Sequence, residues 1–191
     1  MIARCACLII LLLEIRGLSL TLPSRKWMAL VFYTQLSNMV TAASALMLLV
    51  LGQPSWVTVA RYLSTCMLVM TFLVTTCVLI PMGGDPKKLL WSGNGVYHHV
   101  LCPILSTISY IVIEQHAGMT WIWLPVALTF IYGMIMLYLN YIGKVDGPYP
   151  FFRVRNQRVR ATVLWVLILL VAVAAISAVV CAIARFCAIA R

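Results

Sequence analysis

Charge is what this sequence has least of. Only 9% of its 191 residues are charged, and only four of them are acidic. A soluble domain carries roughly a quarter charged residues, so a water-facing surface cannot be assembled from this composition. Mean hydropathy is +1.04. The apolar residues fall in long uncharged runs near 20 residues, the length that crosses a hydrocarbon core of about 30 Å. Only helices and closed barrels satisfy their backbone groups in that medium. The runs lack the two-residue alternation of barrel strands. The expectation is an all-α polytopic transmembrane bundle of six helices, forming a single integral membrane domain over residues 1–191.

Paired metal-type cysteines are also missing. The seven cysteines are Cys5, Cys7, Cys66, Cys77, Cys102, Cys181 and Cys187; none forms a CxxC pair and all lie in or beside apolar runs. They read as small buried hydrophobes, and no metal or cofactor is expected. The net charge of +10 would point to nucleic acid in a soluble chain. Here the cations sit between apolar runs, the pattern of topology determinants, and no nucleic-acid partner is expected.

The six spans are expected as follows. The first is short, from about Cys5 to Leu22, interrupted by Glu14 and Arg16. A secretory signal is its rival, disfavoured by Glu14 and by the lack of a small-x-small cleavage site. The others are Trp27–Leu51, Val57–Ile80, Val96–Glu114, Thr120–Gly143 and Ala161–Ala184. Loops run from Met82 to Gly95 and from Lys144 to Arg160.

The odd loops hold nine cations: Arg25, Lys26, Lys87, Lys88, Lys144, Arg153, Arg155, Arg158 and Arg160. The other side holds four: Arg4, Arg61, Arg185 and Arg191. The positive-inside rule then places loops 1, 3 and 5 in the cytoplasm and both termini outside.

Polar residues inside spans are costly and turn toward the bundle interior. Thr34, Ser37, Asn38 and Thr41 recur at i, i+3, i+4 and i+7, one face of helix 2. His99, Ser106 and Tyr110 share a face of helix 4, and Glu114 continues it. Ser64, Thr71 and Thr75 do the same on helix 3. Thr34 should lie roughly 10 Å past Trp27 and His99 roughly 5 Å past Gly95, at a rise of 1.5 Å per residue. Both helices start from the same side of the membrane, so the two side chains can meet. A plain structural role for these hydroxyls, bonded back to a carbonyl or gluing helices together, stands beside the functional one.

The stretch Phe32-Tyr33-Thr34-Gln35-Leu36-Ser37-Asn38 resembles the Y-F-T-x-x-S-N signature of small bacterial integral membrane proteins. These are related to the androgen-induced and androgen-dependent membrane hydrolases of eukaryotes. Tyr97-His98-His99-Val100-Leu101-Cys102-Pro103 resembles that family's His-x-x-x-Pro, and Gly147-Pro148-Tyr149-Pro150-Phe151 its YPF-type loop. The landmarks run from about residue 30 to 155. The resemblance implies hydrolysis of fatty-acid esters of hydroxy fatty acids in a bacterial cell membrane, by a membrane-embedded threonine with a histidine base. By position the threonine is Thr34. The histidine is His99 on the bacterial spacing and His98 on the eukaryotic one.

The chemistry fits those residues. A threonine hydroxyl needs a base to take its proton, and imidazole within hydrogen-bond reach can do so. An oxyanion needs donors; Asn38 is the first candidate, with Ser37, Ser106 and Tyr110 as further oxyanion or substrate-binding positions. No carboxylate stands out as an orienter of the histidine. His99 is favoured as the base because its face continues through Ser106 and Tyr110, whereas that of His98 continues through Cys102 and Leu105.

The implied partners are the lipid bilayer and a hydrophobic lipid ester; nothing in the sequence specifies an oligomeric state. Two rivals remain: a small transporter or lipid-like ligand-binding protein without catalysis, and a haem or metal protein drawing on His98, His99 and His116. The haem case needs two facing histidines at one level, which neighbours at 100° to each other do not supply.

Overall fold

α1 (Ile2–Arg25) is a continuous helix of 24 residues in the computed structural model, which describes residues 1–189. The short first span expected from Glu14 and Arg16 is therefore corrected to a full one. Glu14 does not interrupt the helix because its side chain is fully buried on the inner face with Cys7, Ile10 and Gly17.

Lys26, at φ 50°, ends α1, and a 3₁₀ turn (Lys26–Val31) follows. Phe32 is extended, so α2 begins only at Tyr33 and runs to Leu51. The single helix expected from Trp27 is thus broken just before the Thr34 motif. Gly52, at φ 78°, closes α2. α3 spans Ser55–Val74 and continues in a π-helical turn to Leu79.

Residues Val96–Leu101 form another π-helical turn, which leads into α4 (Cys102–Val112). Pro103 accounts for the change of helical type: it has no N–H to give to the carbonyl four residues back, and its ring crowds that turn. α5 spans Trp123–Tyr141 and α6 spans Val159–Ile189. No strand occurs among the described residues. Five of these helices are long and apolar enough to cross a membrane, and Val96–Val112 adds a shorter apolar one. The protein is a helical multi-pass membrane bundle.

α3 lies at the centre, packed against α2, α4, α5 and α6, while α1 packs on α2 and α4. One apolar cluster joins α3, α5, α6 and the loop after α5 through Tyr62, Met70, Met136, Phe151, Phe152 and Val173. A smaller one seals α1 to α2 through Cys7, Ile10, Ala45 and Leu48. Large apolar side chains face outward along every span, among them Leu12, Val50, Ile131, Leu167 and Val171. Lipid in place of water makes that exposure favourable.

The expected polar stripes turn inward. Thr34, Ser37, Asn38, Thr41 and Ser44 are buried along α2, and Ser64, Thr71 and Thr75 face them or their neighbours from α3. Arg61, counted above as a flanking cation, is not one. It is fully buried and paired in the bundle with Glu114 at 2.9 Å. Without it, the cation asymmetry becomes nine against three; of those three, Arg191 lies outside the described residues.

Candidate active site

The break before Phe32 sets the geometry of the site. It places Thr34 in the first turn of α2, where backbone N–H groups have no partner within the helix. The Thr34 N–H is instead directed at the phenolic oxygen of Tyr149, 3.3 Å away. The same oxygen lies 3.3 Å from Thr34 Oγ1. On its other side Thr34 Oγ1 lies 3.4 Å from His99 Nε2. That is somewhat longer than the roughly 2.6–3.2 Å of a tight catalytic contact, a slackness common in unliganded sites.

His99 is held by its second nitrogen. Nδ1 lies 2.6 Å from the carbonyl oxygen of Leu89. A carbonyl only accepts, so Nδ1 carries the proton. In the neutral ring Nε2 is then a bare lone pair aimed at the threonine hydroxyl. One consistent donor scheme satisfies all three groups. Thr34 O–H donates to His99, Tyr149 O–H donates to Thr34 Oγ1, and Thr34 N–H donates to Tyr149. The Leu89 carbonyl stands where a carboxylate stands in serine triads, on the far nitrogen of the imidazole. It can stand there because the short π-helical turn Lys87–Trp91 packs against the π-helical turn that bears His99.

Tyr149 is fixed by its surroundings. Its ring stacks on Phe151, centroids 5.2 Å apart and 14° between planes, and meets Phe32 edge-on at 6.3 Å. Phe151 in turn lies against Phe152 at 4.9 Å and Trp165 at 5.5 Å. Asn140, buried near the end of α5, clasps the loop by donating to the Val145 carbonyl at 3.1 Å and accepting from the Val154 N–H at 2.9 Å. Gly147 is needed where it is, since a Cβ there would press on the backbone of Phe152.

Beside Thr34 a cavity of about 60 Å³ opens between α2, α3, α5, α6 and this loop. Its wall is apolar (Met70, Val74, Leu79, Tyr132 and Leu169 among others), with hydroxyls of Thr34, Thr71, Thr75, Thr129 and Tyr149. No charged residue lines it. Phe130 and Met134, 44% and 47% exposed, carry the cavity out toward the lipid-facing side of α5.

The other candidate positions serve different ends. His98 turns away from Thr34: its Nδ1 meets Gln35 Nε2 at 3.2 Å, and its Nε2 abuts Gly17 of α1. Asn38 donates its amide to the Thr34 carbonyl at 2.6 Å, one turn back along α2, so that donor is not aimed at the cavity. Ser37 likewise donates back to the Thr34 carbonyl at 2.9 Å and meets Thr71 Oγ1 at 2.9 Å. These are the back-bonds and helix contacts of ordinary membrane hydroxyls.

Ser106 and Tyr110 are not part of the Thr34 site at all, which corrects their expected role. Ser106 accepts from Arg61 at 3.1 Å. The Tyr110 hydroxyl accepts from the Ala117 N–H at 2.9 Å. The helical rise explains this, since seven and eleven residues beyond His99 amount to roughly 10 and 16 Å. His116 is occupied with the Tyr110 carbonyl at 2.9 Å. Among the described residues no group of three or more His, Cys, Asp or Glu forms a metal-holding set.

Around Arg61 a second polar centre has formed. Its Nε and Nη2 donate to the two Glu114 oxygens, each at 2.9 Å. Nη1 reaches Ser44 and Ser64 at 3.4 and 3.5 Å, and Ser109 donates to Glu114 at 2.7 Å. A buried charge is tolerated when every hydrogen-bonding direction is answered, and here α2, α3 and α4 all contribute answers.

Sequence patterning located Thr34 and His99 but not Leu89, Tyr149 or the Arg61–Glu114 pair. Leu89 acts through its backbone, which no side-chain pattern registers. Tyr149 had a signal, its position in the Gly-Pro-Tyr-Pro-Phe stretch, with nothing to say which helix the loop would meet. No family model matches this chain, and no similar protein was found among curated proteins or solved structures.

Proposed function

We propose that the protein is a membrane-embedded hydrolase of lipid esters, fatty-acid esters of hydroxy fatty acids or similar, with Thr34 as nucleophile and His99 as base. One observation carries this reading: Thr34 Oγ1 lies 3.4 Å from His99 Nε2 while His99 Nδ1 is tied to the Leu89 carbonyl at 2.6 Å. That is a nucleophile, a base and an orienter in line. The resemblance in the Tyr33–Asn38 and His99–Pro103 stretches points to the same pair.

In the proposed reaction Thr34 Oγ1 attacks the ester carbonyl carbon as His99 Nε2 takes its proton. The resulting oxyanion would lie near the hydroxyl of Tyr149 and the positive N-terminal end of α2, both favourable to negative charge. Collapse breaks the bond to the alcohol oxygen, and His99 returns the proton to that leaving group. Water then attacks the acyl-threonine, again giving its proton to His99. The Thr34 oxygen leaves with that proton, and the free acid departs. The apolar cavity suits an acyl chain arriving sideways from the bilayer. The proposed setting is a bacterial cell membrane with loops 1, 3 and 5 in the cytoplasm, from the cation asymmetry.

The uncharged lining of the cavity favours one other reading, a carrier or receptor for a lipid-like ligand without catalysis. Covalent labelling with a serine-hydrolase probe separates the two. The hydrolase predicts labelling of the wild type and its loss in Thr34→Ala. Labelling of neither, or of both equally, overturns it.

A further inference from the structure

We propose a binding site for one anionic phospholipid in the groove between the end of α5, the loop after it and the first turns of α6. The groove is about 490 Å³ and is lined by Tyr141, Val154, Arg155, Val159, Thr162 and Val163. It stands apart from the Thr34 cavity, with which it shares no lining residue.

Arg155 is the anchor. Its Nε and Nη2 donate to the Tyr141 carbonyl at 3.2 and 3.0 Å, and the guanidinium lies close against Gly143. Gly143, at φ 75°, ends the helix, and any side chain there would strike the arginine. The guanidinium is therefore tethered through Nε and Nη2 while the residue stays exposed. Held guanidinium groups are the preferred partners of phosphate.

The surrounding charge is of one sign. Arg158 and Arg160 are exposed, and among the described residues neither they nor Arg155 meets a carboxylate. Arg153 has only a 4.0 Å contact with the exposed Asp146. Immediately beyond, the groove becomes apolar and faces the bilayer: Val159 is 79% and Val163 52% exposed at the start of α6. An oriented cation above an outward apolar strip, at the level where a membrane span begins, matches a phosphate headgroup with its acyl chains below. It fits neither a soluble anion nor a purely apolar ligand.

The test is thermal unfolding of the purified full chain in a neutral detergent. Phosphatidylglycerol, phosphatidylcholine or glycerol phosphate is added at equal concentration. The site predicts that phosphatidylglycerol raises the melting temperature and the other two do not. Each arginine removed, in Arg155→Gln and Arg158→Gln, should weaken phosphatidylglycerol binding roughly fivefold. Val159→Asp puts a carboxylate in the groove at an exposed position that does not bear on folding, and it should abolish the shift. The pair Lys87→Gln and Lys88→Gln removes as much charge from another loop and should leave the shift intact. An equal response to phosphatidylcholine, a full response to glycerol phosphate, an unaltered shift in Val159→Asp, or an equal loss in the lysine pair would each overturn the proposal.

Discussion

The Tyr149 hydroxyl oxygen and Thr34 Oγ1 lie 3.3 Å apart across 115 residues of chain. The contact joins the loop before α6 to the first turn of α2, and it places a phenol next to the hydroxyl that His99 addresses from the other side. On the proposed mechanism this phenol donates to the oxyanion. Tyr149→Phe should then lower kcat by roughly 10²-fold, the usual effect of losing one such donor. The ring stack on Phe151 survives the change, so the melting temperature should stay nearly constant. Unchanged turnover would reduce Tyr149 to a packing role.

The two adjacent histidines should separate cleanly. His99→Ala removes the group on Thr34 and should cost roughly 10²–10⁴-fold in ester turnover. His98→Ala frees Gln35 and opens space beside Gly17, so its effect should be on stability with turnover largely kept. Assay of both at equal expression decides; a dead His98→Ala with a normal His99→Ala would reverse the assignment.

Gly17 is where α1 meets His98. A Cβ there would collide with the buried imidazole, and overpacking of this kind costs about 1–3 kcal/mol. Gly17→Ala should therefore lower the melting temperature, and the double variant with His98→Ala should recover most of the loss. If Gly17→Ala melts like the wild type, α1 does not pack at this level.

The Arg61–Glu114 pair should behave as a unit. Arg61→Met leaves a carboxylate buried among serines without its cation and should destabilise by roughly 3–5 kcal/mol. Arg61→Met with Glu114→Leu removes both charges and should be much milder. Reversible unfolding in detergent measures both; equal damage from single and double variants would show that the pair's charges are not what holds α3 to α4.

Orientation is open to direct measurement. Asn156 is exposed in the arginine-rich loop. A membrane-impermeant thiol reagent should label Asn156→Cys only after the cells are opened, if the loop is cytoplasmic. Native Cys5 and Cys77 are also exposed and need replacement first. Labelling of intact cells would invert the topology.

The hydrocarbon setting, the helical class and the inward faces of α2, α3 and α4 were determined by the sequence alone. Long uncharged runs without the alternation of barrel strands leave only helices in lipid, and the spacing of Thr34, Ser37, Asn38 and Thr41 fixes a face whatever the helix packs against. Rotation about a helix axis is local information, and so Thr34 and His99 could be paired before any fold was known. Tertiary structure alone decided what surrounds them. The break at Phe32 and the wide turn before Pro103 changed where each helix begins. The Leu89 carbonyl came to His99 Nδ1 through the path of a loop. Tyr149 reached Thr34 because Asn140 and an aromatic stack hold its loop. Arg61, a flanking cation by its position in the chain, became a core residue because Glu114, in the turn just past the end of α4, meets it. Each of these depends on which distant segments meet, and that is set by the summed packing of all six helices, not by any stretch of sequence read alone.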